Sequence, residues 1–292
     1  MGSVKIIECP RDAMQGVRSF IPTQDKLAYI KSLLPVGFHT IDIGSFVSVK
    51  SIPQMADTKE ILRAVETLPT DSKFLVIVAN LRGAVEASQF EVVDYLGFPF
   101  SISENFQMRN THKSIQESIE VLMQILELAD QTGKEVVVYL SMGFGNPYGD
   151  FWSTEIVEKW VDMLSKMGVK IISLSDTIGV AKSDDISQLY QRLIPIYSHI
   201  EFGAHFHTLP NQWYEKVQAA YDSGCLRFDG AIRGFGGCPM ALDELTGNMP
   251  TERLFSFFSS QKIDLNLNTF HFERAYNAAL ELFKSRQCAK TK

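Results

Sequence analysis

The chain reads as an α/β protein built as a single-domain (β/α)8 TIM barrel. Three observations predict this. Short apolar, β-branched runs recur eight times, spaced about 30–40 residues apart. Segments of helical period fill the intervals between them. No Pro/Gly/Ser-rich linker or low-complexity tract divides the 292 residues. Eight alternating units are more than a doubly wound sheet usually holds, and no glycine-rich phosphate fingerprint follows the first run.

The strand candidates, in order, are "VKIIEC", "HTIDIG", "KFLVIVA", "EVVDYLG", "EVVVYLS", "KIISLSD", "IEFGAHFH" and "RFDGAIRG". Clear helical patterns are "TQDKLAYIKSLLP", "SIQESIEVLMQILELADQTG" and "STEIVEKWVDMLSKMG". The last two open on a Ser ahead of an acidic or amide residue and close on glycine, the usual cap chemistry at each end. From about residue 264 to 292 the pattern is mainly one amphipathic helix, "FERAYNAALELFKS", expected to complete the barrel wall or pack beneath it.

Composition narrows the function classes. With 45% hydrophobic and 21% charged residues the chain can fill a large core. A net charge of −6 without a Lys/Arg run argues against nucleic-acid binding. No stretch approaches the roughly 20 continuous apolar residues of a membrane span. Cys9, Cys225, Cys238 and Cys288 have no C-x-x-C spacing and read as reduced thiols of a cytoplasmic protein.

His205 and His207 in "GAHFHTLPN" stand two residues apart at the end of a strand candidate. On a strand, i and i+2 face the same side; on a helix they diverge by about 200°. The spacing suits two imidazoles aimed at one point, and also suits a plain polar strand end. In a barrel, residues just past each strand's C-terminal end converge on one mouth. Arg11, Asp12 and Gln15 follow the first strand, and Asp42 lies on the second. Asn80 follows the third, Asp176 and Thr177 the sixth, and Cys238 and Asn248 the eighth. A cap or rim hydrogen bond explains any one of them. Together they bring a carboxylate, two imidazoles and an amide oxygen to a common mouth.

"PRDAMQ", "SFVSVKSIPQMADT", "SLSDTIGV", "HFH" and "GFGGCP" with its following "GN" resemble the 3-hydroxy-3-methylglutaryl-CoA lyases, within the wider group of metal-dependent lyase and Claisen-condensing barrels. The resemblance runs in one order from about residue 4 to residue 255. It implies that Asp12, His205, His207 and Asn248 hold one divalent cation. Hard oxygen donors mixed with imidazole suit Mg²⁺ or Mn²⁺, and zinc is also compatible. Arg11 would neutralise charge on the thioester oxygen, and Cys238 would return a proton to the acetyl-CoA enolate. The base stays open between Asp12 and His205. Asp42 stands where the family usually has glutamate, one methylene longer. Gln15, Asn80 and Thr177 join Arg11 as substrate-binding candidates. Arg18, Lys50 and Arg82 are candidate partners of the CoA diphosphate.

The implied reaction is metal-dependent cleavage of 3-hydroxy-3-methylglutaryl-CoA, or a close analogue, to acetoacetate and acetyl-CoA. A related condensing enzyme or aldolase using a different keto acid is the alternative. A non-catalytic acyl-CoA-binding barrel is a third reading, of another class. The partner expected is thus an acyl-CoA, with a homodimer the default from symmetry and family.

Several positions depart from the family pattern. "ECPRD" puts Cys9 before Pro-Arg-Asp, where a valine-glycine step is usual; a small buried hydrophobe is the simplest role for it. "TLPNQW" lacks the acidic residue expected beyond His207. Asn146 in "GFGNPYGD" replaces a cysteine, and Asp243 and Glu244 sit in the segment before Asn248. Trp152, Trp160 and Trp213 fall on helical patterns and are expected to pack against the barrel.

Overall fold

Each of the eight apolar runs forms a strand in the computed structural model, which describes residues 2–17, 19–237 and 246–287. The chain begins with β1 (Lys5–Glu8), α1 (Pro10–Gln15), α2 (Thr23–Leu33), β2 (Thr40–Ser45), α3 (Thr58–Val65), β3 (Lys73–Ile77) and α4 (Leu81–Ser88). It continues through β4 (Val93–Ser101), α5 (Glu104–Thr111), α6 (Ile115–Thr132), β5 (Glu135–Ser141), α7 (Thr154–Lys166) and β6 (Ile171–Asp176). Then come α8 (Ser183–Ile196), β7 (Glu201–Thr208), α9 (Trp213–Asp222) and β8 (Arg227–Gly230). A two-residue β9 (Gly247–Asn248), α10 (Thr251–Ser260) and α11 (Thr269–Gln287) end the described chain.

The eight strands pair in parallel, in chain order, and β8 pairs back onto β1, so the sheet closes into a barrel. Both faces of such strands are covered, which is why they read as nearly unbroken apolar runs rather than as an alternation. β2 and β6 are buried at every position. The caps expected from sequence are formed. Ser114 and Glu117 make a reciprocal capping box at the start of α6, and Gly133 closes it in the left-handed conformation at φ 68°. Ser153 caps α7 by accepting from Ile156 N.

One large apolar core lies between the barrel and its helices. A small second one, Leu75, Ile77, Tyr95, Val137, Tyr139 and Ile171, fills the lower barrel interior. Gly97 makes room for it, since a Cβ there would come within 2.7 Å of Ile77 Cδ1 and 3.2 Å of Tyr139 Cε2. Above this plug the interior turns polar, and that is where the mouth begins. Helix α11 packs on α2 through Tyr29 and Phe283, with ring centroids 6.3 Å apart; Phe272 meets Phe38 at the same distance.

Glu8 ties the end of β1 to the connection after β8. Its carboxylate accepts from Ile232 N at 2.9 Å and from the Thr251 hydroxyl at 2.6 Å, with no exposure to solvent. Burial pushes this carboxyl up from 4.5 to about 8, although both hydrogen bonds work the other way. The folded state therefore holds a proton that the unfolded chain releases. The stability this gives is complete below about pH 4.5 and is lost as the pH rises through 8. We expect Glu8→Gln to remove that slope, so that its thermal midpoint gains on the wild type steadily between these limits. Parallel midpoint curves would show that Glu8 does not carry the proton.

Candidate active site

Pro10 occupies the first position of α1, where its fixed φ suits helix entry and its missing N–H costs nothing. The helix therefore starts one residue past the strand and turns Arg11 and Asp12 into the mouth. Arg11 is 8% exposed. Its Nε and Nη2 donate to Asp42 Oδ2 at 3.0 and 2.6 Å. Its Nη1 donates to Gln15 Oε1 at 2.7 Å and lies 3.4 Å from Asp12 Oδ1. Gln15 Nε2 in turn donates to Asp12 Oδ1 at 2.7 Å. One turn of helix thus clamps guanidinium, amide and carboxylate in a fixed relation, and the shorter Asp42 side chain does reach Arg11. Burial pushes the Asp42 carboxyl up to about 6 against the pull of Arg11. Burial would also raise Asp12, but Arg11, both imidazoles and Asn248 hold it below the usual carboxylate range.

His205 and His207 point into the mouth from β7, ring centroids 5.5 Å apart. His205 Nδ1 lies 3.0 Å from Asp229 Oδ2, and His207 Nδ1 lies 2.8 Å from the Thr177 carbonyl oxygen. Both partners only accept, so Nδ1 carries the hydrogen in each ring and Nε2 presents the lone pair. His205 Nε2 sits 3.6 Å from Asp12 Oδ2. The two rings differ electrostatically. Burial opposes charge on His205, but the hydrogen bond and charge of Asp229, helped by Asp12, raise it above the ordinary histidine range. Burial and the neighbouring His205 drive His207 down to about 4, against the pull of Asp12 and the Thr177 carbonyl.

Asn248 arrives from the far side of the chain. β9 pairs antiparallel with β7, and His207 stands directly opposite Asn248. Asn248 Nδ2 donates to the Phe235 carbonyl at 2.8 Å. Gly236, at φ +83°, lets the loop close over the site; a Cβ there would lie 2.5 Å from the Asp12 carbonyl oxygen and 3.0 Å from Asn248 Nδ2.

Ligand atoms of Asp12, His205 and His207 lie within 4.8 Å of one another. A carboxylate, two imidazoles held by their Nδ1 atoms and a nearby amide are a donor set that fits a divalent cation. Charge points the same way. Asp12, Asp42 and Asp229 are all at least 95% buried around the mouth, with Arg11 as the full cation clamped among them.

The remaining candidates have structural partners. Asn80 caps α4 by accepting from Gly83 N at 2.9 Å. Thr177 accepts from Met142 N at 2.8 Å through Oγ1 while its carbonyl receives His207. Asn146 braces the Pro-Tyr-Gly turn, accepting from Tyr148 N and Asp150 N and donating to the Asp150 carbonyl. Trp152 lies in the loop ahead of α7 rather than on the helix, its Nε1 donating to Gly143 O at 2.9 Å. Lys50 is exposed; Arg82 is too, with its Nε 3.8 Å from Glu86. Cys238, Asp243, Glu244 and Arg18 lie outside the described residues.

Sequence reasoning missed two supporting residues. Asp229 lies in register with His205 on the neighbouring strand, and the signal for it was an acidic residue inside the otherwise apolar "RFDG". Lys216, on α9, is buried and donates to Asp176 Oδ2 at 2.6 Å and to the His207 carbonyl at 3.0 Å. A lysine on an amphipathic helix carries no sequence mark of that role.

A family model described as HMGL-like matches residues 4–278. The chain is 32% identical over 263 residues to the 3-hydroxy-3-isohexenylglutaryl-CoA/hydroxy-methylglutaryl-CoA lyase of Pseudomonas aeruginosa, covering 89% of this chain and 86% of that protein. It is 32% identical over 269 residues to the mitochondrial hydroxymethylglutaryl-CoA lyase of Bos taurus, covering 91% and 81%. Among solved structures, the Bacillus subtilis HMG-CoA lyase superposes with a TM-score of 0.90 at 28% identity, covering 99% of this chain and 98% of that one. The HMG-CoA lyase of A. baumannii, solved with coenzyme A and 3-methylmalate, gives 0.89 at 28% identity, covering 97% and 92%. By sequence over most of its length and by barrel topology, this chain belongs to the HMGL-like family.

Proposed function

We propose that the protein is a carbon–carbon lyase that cleaves 3-hydroxy-3-methylglutaryl-CoA, or a close analogue, to acetoacetate and acetyl-CoA. The observation that carries this reading is the Arg11 clamp on Asp42 and Gln15, set directly against the Asp12, His205 and His207 cluster. Such an arrangement faces a hydroxyl on one side and a thioester oxygen on the other. The relatives named as lyases of these substrates support the substrate class, and the neighbour solved with coenzyme A supports an acyl-CoA partner. No helix among the described residues is long and apolar enough to cross a membrane. Some relatives are named cytoplasmic forms, which supports a cytoplasmic setting.

In this reading Asp12, His205, His207 and Asn248 would hold Mg²⁺ or Mn²⁺, and a divalent cation there would lower the energy of negative charge on the substrate's 3-hydroxyl oxygen. The hydroxyl proton passes to the Asp12 carboxylate, which has two oxygens and lies 3.6 Å from His205 Nε2 through Oδ2. Asp229 fixes the His205 ring through Nδ1, so that Nε2 faces the cation seat. The C2–C3 bond breaks, C3 becomes the ketone carbon of acetoacetate, and the bonding pair moves into the thioester as an enolate. Arg11 is oriented by Asp42 and Gln15 to receive charge on the enolate oxygen, a preorganised cation that needs no rearrangement at the moment of cleavage. Cys238 is the proton source for C2.

The direct test is to incubate the protein with 3-hydroxy-3-methylglutaryl-CoA and Mn²⁺ or Mg²⁺ and to measure acetoacetate with and without chelator. We expect metal-dependent formation. Free CoA released from acetyl-CoA plus a keto acid, with no acetoacetate, would instead mark a condensing enzyme. Arg11→Met should lower kcat by about 100-fold or more. Asp42→Asn should cost a similar factor, and the double variant little beyond either single one, because both changes disable one clamp. Additive losses would separate the two residues. Asp229→Asn should weaken Mn²⁺ binding by about 10- to 100-fold, measured by titration of the free ion.

A further inference from the structure

Beneath the mouth the barrel holds a second donor set, whose thiol the proposed reaction leaves unused. Cys9, the residue between β1 and α1, is 1% exposed. Its Sγ, a His205 ring nitrogen and an Asp229 carboxylate oxygen all lie within 4.8 Å of one another. The thiol's hydrogen-bond partner is the Ile7 carbonyl, at a loose 3.8 Å. A further observation marks the place as cation-seeking. Asp229 Oδ1 and Asp42 Oδ1 are buried carboxylate oxygens that no donor among the described residues reaches. Burial and the carboxylates of Asp229, Asp42 and Asp12 push the thiol well above its ordinary value, so a cation bound here must displace its proton. Two guanidiniums share this region: Arg11 is bonded to Asp42, and Arg227, bonded to Glu201 through Nη1, also bears on Asp229 while its Nε and Nη2 meet no acceptor among the described residues.

A thiol, an imidazole and a carboxylate make a three-donor set of the kind that selects thiophilic divalent ions over Mg²⁺ or Mn²⁺, which prefer oxygen. We propose that Cys9, His205 and Asp229 form a binding site for one Zn²⁺- or Cd²⁺-class cation, and that filling it inhibits the enzyme. On binding, the Cys9 S–H and the His205 Nδ1–H protons leave to solvent as sulfur–metal and nitrogen–metal bonds form, with no change of oxidation state. Asp229 then serves the ion and no longer donates its charge to hold His205 toward Asp12. The two cation seats thus share one imidazole, by opposite ring nitrogens. The binding clause stands on the donor geometry alone; only the inhibitory clause rests on the proposed function.

The experiment titrates the full-length protein with Cd²⁺ and follows the thiolate-to-cadmium charge-transfer absorbance, in wild type and in Cys9→Ala, with Cys9→Ser as a second variant of nearly unchanged volume. The wild type should show a saturable thiolate–cadmium band. Both variants should lose it and bind Cd²⁺ at least about tenfold more weakly. Their Mn²⁺ affinity should stay within about twofold of wild type. In parallel, Zn²⁺ should inhibit Mn²⁺-supported acetoacetate formation by the wild type even in excess Mn²⁺, and that inhibition should be relieved in the variants. A band and affinity unchanged in both variants, or no thiolate band in the wild type, overturns the site. Zn²⁺ inhibition that persists undiminished in the variants overturns the inhibitory clause. A protein without lyase turnover that still shows the Cys9-dependent band retains the site and fails the functional reading instead.

Discussion

Three buried carboxylates crowd the upper interior of a closed barrel, where Arg11 is clamped against Asp42 and Arg227 bears on Asp229 from below, and most of what is distinctive here follows from that crowding. Asp12, Asp42 and Asp229 are all nearly inaccessible to water. Burying ionised carboxylates costs several kcal/mol each unless partners repay it. Arg11 repays part, through short bonds to Asp42 and a longer approach to Asp12. His205 repays more, lying between Asp12 and Asp229. The negative charge left over is what makes the mouth a place for a divalent cation.

Supporting contacts keep that charge in place and make the two histidines different. Asp229 holds one ring and the Thr177 carbonyl holds the other. One imidazole is thereby pushed toward the charged form and its neighbour away from it, although both hang from the same strand face. The Thr177 carbonyl is itself held by its surroundings. Asp176 accepts from Lys216 and from Val180 N, and Lys216 also reaches the Gly179 and His207 carbonyls. A backbone carbonyl so fixed orients the His207 ring, although unlike a carboxylate it lends the imidazole no charge.

Much of the fold was legible because the relevant signals are local. Parallel strands covered on both faces must be apolar throughout, and eight such runs with helical segments between them leave few architectures. Caps are also local, which is why Ser114, Ser153 and Gly133 stand where their residue types suggested. The candidate site was legible in part for the same reason. The two-residue spacing of His205 and His207 and the strand-end position of Arg11 and Asp12 are properties of short segments. Asp42's reach to Arg11 depends instead on how β1 and β2 sit side by side, and side-chain length alone argues the wrong way. Asn80 shows the opposite limit: its strand-end position suggested substrate contact, while its side-chain oxygen is engaged in capping the helix that follows.

The amino-acid order by itself determined the repeating strand–helix units, the cap positions and the set of polar residues delivered to one rim, because each depends on neighbours within a few residues. Only the closed barrel decided which of those residues meet. Asp229 finds His205, Asn248 comes opposite His207, and Cys9 lies under both carboxylate and imidazole through pairings between segments tens to hundreds of residues apart. Such meetings follow from strand register and closure, and burial then turns each of them into an electrostatic demand. A linear sequence names the charges but leaves out the distances and the exclusion of water that give them their strength.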